Sequence, residues 1–180
     1  FALSDDGTCK VECYEEENAK HSVAVENDVL IVKTNKSWYD YIGYSFGWSK
    51  ITIYLPKEEY SELSINESTG TVEIPKDCLF ENVNISTSTG DVNFCASVSK
   101  LVKIKTSTGN ICVENISAGA LDLSVTTGKV TVSGVTCQDD ITVSVVTGNA
   151  YLTDSSCRSV ISSATTGNIS LNNVIQEVHP

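Results

Sequence analysis

Apolar and polar residues alternate along most of this chain in short runs, and the runs keep a constant register to a recurring Thr-Gly step. The steps are Thr69-Gly70, Thr89-Gly90, Thr108-Gly109, Thr127-Gly128, Thr147-Gly148 and Thr166-Gly167, with intervals of 20, 19, 19, 20 and 19 residues between glycines. Such a period marks stacked repeats. After each Gly the second and fourth residues are apolar: Val72/Ile74, Val92/Phe94, Ile111/Val113, Val130/Val132, Ala150/Leu152 and Ile169/Leu171. Before each Gly the apolar positions lie seven and five residues upstream: Leu63/Ile65, Val83/Ile85, Val102/Ile104, Leu121/Leu123 and Ile141/Val143, with Val160/Ser162 as the exception. Period two with one apolar face predicts strands, and the β-branched content agrees.

Each repeat therefore supplies two short strands with a turn at the Thr-Gly step and another near mid-repeat. One coil cannot bury its apolar face alone; coils stacked about 4.8 Å apart pair each strand with its equivalents above and below. The expected fold is all-β: a single domain over residues 1–180, a parallel β-helix or solenoid of about 19–20 residues per coil. Gly permits positive φ at the corner, and the preceding threonines should form a ladder whose hydroxyls can bond neighbouring backbone. An antiparallel sandwich is the structural rival, but it calls for Asn-Gly hairpin turns, which the sequence lacks.

Residues 1–50 fit the period less well and are expected to form irregular N-terminal coils or a cap, with regular repeats over 51–180. Val23, Val25, Val29 and Ile31 around Glu26-Asn27-Asp28 predict a strand, a turn and a second strand. The interval of 19 between Pro56 and Pro75 predicts one further coil before the first Thr-Gly. A cap is expected because an open solenoid end exposes strand edges.

Ile51-Thr52-Ile53-Tyr54-Leu55-Pro56, then Leu63-Ser64-Ile65 running to Ser68-Thr69-Gly70, then the successive Ser-Thr-Gly and Thr-Thr-Gly steps, resemble the bacterial adhesin-type β-strand-repeat domains of unknown function, the toastrack family. The resemblance covers most of the chain and carries no catalytic residues. It implies a right-handed solenoid, often displayed outside Gram-positive cells behind a membrane anchor, with suspected roles in adhesion or envelope sensing. Some relatives look cytoplasmic.

A formal charge of −11, with 12 basic side chains against 23 acidic ones, argues against nucleic acid and anionic membrane surfaces. Residues 1–81 hold 16 of the acids and read as a solubilising face. Beginning at Phe1 rather than Met, the chain reads as a mature segment or a piece of a longer protein, and any membrane association is expected through an anchor outside it. The 7 cysteines are odd in number and show no zinc spacing; His21 and His179 stand alone, so neither metal nor cofactor is expected. Cys137 and Cys157 each lie nine residues after their Gly and should stack in adjacent coils, as buried thiols or as a disulfide. Cys112 should point outward, as the better candidate for a reactive thiol.

No catalytic motif is present, and the chain is expected not to be an enzyme. Outward positions are mostly Ser, Thr and Asn; among the acids, Asp122 should pair with Lys103 across strands, while Asp139, Asp140 and Glu114 lie near in repeat space. The main departure from the repeat is an aromatic loop over residues 37–49. It holds Trp38, Tyr39, Tyr41, Tyr44, Phe46 and Trp48, six of the chain's 13 aromatics, with Gly43 and Gly47 between them. These rings either plug the open core or form a binding surface for a protein or glycan. The expected function is a non-enzymatic cell-surface scaffold for adhesion, binding or envelope sensing. A structural protein assembling through its solenoid ends is the alternative, and a carbohydrate-active enzyme the third reading.

Overall fold

The computed structural model describes residues 1–15, 20–34 and 49–176. It is all-β, and the chain divides into two compact units, Phe1–Pro56 and Lys57–Pro180.

The second unit is a parallel solenoid of about six turns. Its strands are β6 (Glu59–Thr69), β7 (Val72–Ile74), β8 (Leu79–Thr89), β9 (Val92–Phe94), β10 (Ser97–Thr108), β11 (Ile111–Glu114), β12 (Ser117–Ser133), β13 (Thr136–Cys137), β14 (Asp140–Cys157), β15 (Ser159–Thr166) and β16 (Ile169–Gln176). The segment before each Thr-Gly step stacks in the order β6, β8, β10, β12, β14, β15, and every pairing is parallel. Thr69 pairs with Thr89, Thr89 with Thr108, Thr108 with Thr127, Thr127 with Thr147, and Thr147 with Thr166. The segments after the Gly stack in the same way, Val72 with Val92, Val92 with Ile111, and Ile111 with Val130.

Inward positions follow the period-two pattern. Val83, Ile85, Val102, Ile104, Leu121, Leu123, Ile141 and Val143 are each at most 2% exposed, and so are Val92, Phe94, Ile111, Val113, Val130, Val132, Ala150 and Leu152. Those rows form one continuous apolar core, the main stabilising term at about 25 cal/mol per Å² of apolar area buried. The Ser162 exception sits on the last coil, where the inward row is only half-buried and a hydroxyl is tolerated.

Gly128 shows why the corner must be glycine. Its φ is +148°, and a Cβ there would lie 1.8 Å from the carbonyl oxygen of Gly109 directly below. Gly109 N–H donates to Thr127 O at 3.0 Å, so the corner of one coil is bonded to the next. The threonine ladder itself is exposed; the buried hydroxyls stand two residues earlier. Thr87 Oγ1 donates to Thr106 Oγ1 (2.8 Å), which donates to Gly90 O (3.3 Å).

Three features extend the two-strand reading. The turn expected near mid-repeat lies six residues after Gly, with positive φ at Asn115, Gly134, Asp154 and Asn173 (53°, 64°, 49° and 51°). Beyond it each coil carries a third short paired segment, as where Ser117 and Ala118 pair with Thr136 and Cys137. One register shift interrupts the stack between Val98 and Leu101, leaving Ser99 and Lys100 opposite Gly119, whose missing Cβ would meet Lys100 O at 2.2 Å.

The first unit is not made of irregular coils. Its β1 (Ala2–Leu3) pairs in parallel with β5 (Lys50–Leu55), and β2 (Lys10–Tyr14) pairs with β5 antiparallel, in a three-stranded sheet. The extra coil expected from the Pro56 to Pro75 spacing is therefore corrected: Ile51–Leu55 pairs with strands near the N-terminus, a long-range match that local spacing cannot encode. β3 (His21–Glu26) and β4 (Val29–Thr34) form the expected hairpin, with positive φ at Asn27 and Asp28 (51° and 63°) as a two-residue type I′ turn requires. Leu55 is this unit's one buried side chain among the described residues.

Candidate functional site

The six aromatic residues Trp38 to Trp48 lie outside the described residues. The chain re-enters description at Ser49, and Lys50 opens β5.

Lys50 lines a groove of about 380 Å³ together with Glu12, Cys13, Tyr14, Thr52 and Tyr54. The antiparallel register builds it: Lys10 lies opposite Tyr54, Glu12 opposite Thr52 and Tyr14 opposite Lys50. Alternation then puts Lys10, Glu12 and Tyr14 on one sheet face with Lys50, Thr52 and Tyr54. At one end Tyr54 Oη donates to Glu12 Oε2 (2.9 Å), Lys10 donates to Glu12 Oε1, and the Lys10 ammonium lies 5.5 Å from the Tyr54 ring centroid. Lys10 and the Tyr54 hydroxyl hold the Glu12 carboxyl below its usual range, and Glu12 in turn raises both partners. At the other end Tyr14 is 79% exposed. Burial, with Glu15 behind it, pushes the Cys13 thiol up and keeps it protonated at neutral pH. The groove thus offers an aromatic face, hydroxyls, an ammonium and a fixed carboxylate, groups suited to stacking and hydrogen bonding. Beside it Glu15 Oε2 accepts the His21 backbone N–H (2.9 Å) and contacts His21 Nδ1 (2.7 Å), tying β2 to β3.

The sequence reading passed over these groove residues. The available signal was the alternation Lys10, Glu12, Tyr14 against Lys50, Thr52, Tyr54, which places polar and aromatic groups on the face opposite Ile51, Ile53 and Leu55.

On the solenoid Asp122, Asp139 and Asp140 are engaged in ion pairs. Lys103 Nζ meets Asp122 Oδ2 at 3.3 Å, as the cross-strand register predicts, and Arg158 bridges Asp139 (2.9 Å) and Asp140 (3.1 Å). Asp140 is lowered by Arg158 and Ser159. Side-chain oxygens one residue after the Gly clip the coils together: Asp91 Oδ1 accepts Asn110 N–H (2.7 Å), Asn110 Oδ1 accepts Lys129 N–H (3.1 Å), and Asn149 Oδ1 accepts Asn168 N–H (3.0 Å).

Cys137 and Cys157 follow the paired Thr136 and Ser156 in adjacent coils and are buried free thiols. Burial pushes Cys137 up to about 11. Cys112 does point outward, half-buried, but its thiol donates to Glu114 Oε1 (3.3 Å), and burial plus that carboxylate push it to about 11. Such a thiol is a poor nucleophile, which weighs against the reactive role expected for it.

No curated protein and no solved structure matches the chain. The profile of one family, Toastrack DUF4097, matches residues 2–174 and so takes in the three-stranded sheet, the hairpin and all six Thr-Gly corners. The chain belongs to this toastrack family, whose function is unknown.

Proposed function

We propose that the chain is a non-enzymatic binding scaffold displayed at the cell surface, for adhesion or envelope sensing, with the solenoid as a stiff carrier and the N-terminal unit as the recognition element. One observation carries the reading: the two units differ in how their polar chemistry is disposed. On the solenoid, Asp122, Asp139 and Asp140 are held by Lys103 and Arg158, and the inward rows are filled mainly with apolar side chains. In the N-terminal unit, the open groove presents the 79% exposed Tyr14 beside Lys50, Thr52 and Glu12. An exposed aromatic ring flanked by hydrogen-bonding groups suits a glycan or an extended peptide. The segment bearing Trp38 and Trp48 directly precedes Ser49 and Lys50 in the sequence, so it leads into one of the two strands that line the groove.

The test is retention on immobilised glycan and extracellular-protein panels, with Tyr14→Ala, Lys50→Ala and the pair Trp38→Ala/Trp48→Ala as probes. Loss of retention in any of these, with an unchanged solenoid melt, supports the reading. Retention that survives all of them, or release of products from a polysaccharide panel, overturns it.

A further inference from the structure

The last coil ends differently from the others. Leu171 occupies the inward row that includes Leu152, yet Leu171 is 51% exposed where Leu152 is 0%. Among the described residues nothing covers the core at this point. Ile161 and Ile175, on the outward side of the same coil, are each 56% exposed. Among the described residues β15 and β16 pair on one side only, with β14, so two eight-residue edges present unpaired backbone groups.

Natural sheets guard such edges with charge, proline or a bulge. Residues 159–176 contain no Asp, Glu, Lys, Arg, His or Pro, in a chain of net charge −11. The first coil is the contrast, with Glu62 and Glu73 exposed and Glu67 half-buried. A two-fold contact sets the same patch of both copies together, residue i against j and j against i, so a face carrying charge of one sign repels its copy. A face without charged side chains meets no such repulsion, and residues 159–176 provide one.

We infer that the C-terminal coil is a self-association site, at which β15 of one chain pairs antiparallel with β15 of a second copy and covers the core at Leu171. The two-fold closes after one partner, so the product is a dimer rather than a fibre. This inference is independent of the groove and its ligand.

The experiment is light scattering behind gel filtration on the full chain over a dilution series. The expected mass is twice 19.4 kDa at high concentration, falling to 19.4 kDa on dilution. Ser163→Asp, an exposed polar site near the middle of β15, and Ile175→Asp should each give monomer throughout with an unchanged melt. Ser68→Asp, on the first coil, should leave the dimer intact. A wild type that stays monomeric overturns the inference. So does a dimer that survives Ser163→Asp and Ile175→Asp in folded protein, dissociation by Ser68→Asp, or growth without limit, which would indicate head-to-tail stacking.

Discussion

Gly128 lies so close above Gly109 that a Cβ on the former would sit 1.8 Å from the carbonyl oxygen of the latter. Gly70, at the bottom of the same ladder, has an equally positive φ of +148° but open space, with only Glu67 Cγ at 3.9 Å. Gly128→Ala therefore combines backbone strain with a backbone clash and should cost about 3 kcal/mol or more, whereas Gly70→Ala carries strain alone, about 1–2 kcal/mol. Paired urea melts check the difference. Equal losses would mean that the corners do not stack as described.

Thr87 and Thr106 share one buried hydroxyl bond of 2.8 Å, at a corner position that later coils fill with Val125 and Val145. Thr106→Val strands the Thr87 hydroxyl and should cost about 1–3 kcal/mol. Adding Thr87→Val removes the orphan, so the double variant should recover most of that loss. A double-mutant cycle that proves additive would refute the coupling.

The acid limit should be set by the N-terminal unit. Asp6 accepts bonds from the Thr8 hydroxyl (2.6 Å), the Thr8 backbone N–H (2.9 Å) and Ser4 (2.8 Å), which hold it at about 2. Glu12 and Glu15 are lowered too, by Lys10 and His21 first. A depressed carboxyl contributes stability that is complete above its unfolded value, about 4, and lost as pH falls toward the folded one. NMR signals of Lys10–Tyr14 and Lys50–Leu55 should lose dispersion on acidification before those of the Leu121 and Leu123 strand. Simultaneous collapse would contradict this ordering.

Alkaline pH acts with the opposite sign on the solenoid. Cys112 and Cys137 are both raised to about 11, mainly by burial. Unfolded thiols ionise near 8.5, so the unfolded state gains between about pH 8.5 and 11 and stability declines there. Cys137→Ala should flatten that decline in denaturant melts. In thiol titration at pH 8 the exposed Cys9 should react first, with Cys112 and Cys137 slow. A fast Cys112 would sink this account of its environment.

The solenoid was legible because its signal is local and repeated: Val92/Phe94 and Val102/Ile104 recur at one register from a residue that must be glycine. The turn near mid-repeat was expected, but its position and left-handed conformation were not legible, because Asn115, Gly134, Asp154 and Asn173 share a positive φ but no single residue type, and the first two coils place Lys76 and Ala96 there. The third segment of each coil is too short for periodicity to register. The groove depends on Lys10 meeting Tyr54, a pairing across 44 residues that no local pattern specifies. Sequence alone also could not tell that Cys112, outward by alternation, would be half covered and bonded to Glu114.

The most direct test of the stacked solenoid is a set of spin-label distances in a cysteine-free background. One label stays at Ser68 and the other moves along the exposed row Thr126, Val146, Thr165. Parallel coils about 4.8 Å apart predict distances rising in equal steps, roughly 14, 19 and 24 Å before allowance for the label arms. Distances that fail to rise in order, as strands folded back into a sandwich would give, would contradict it.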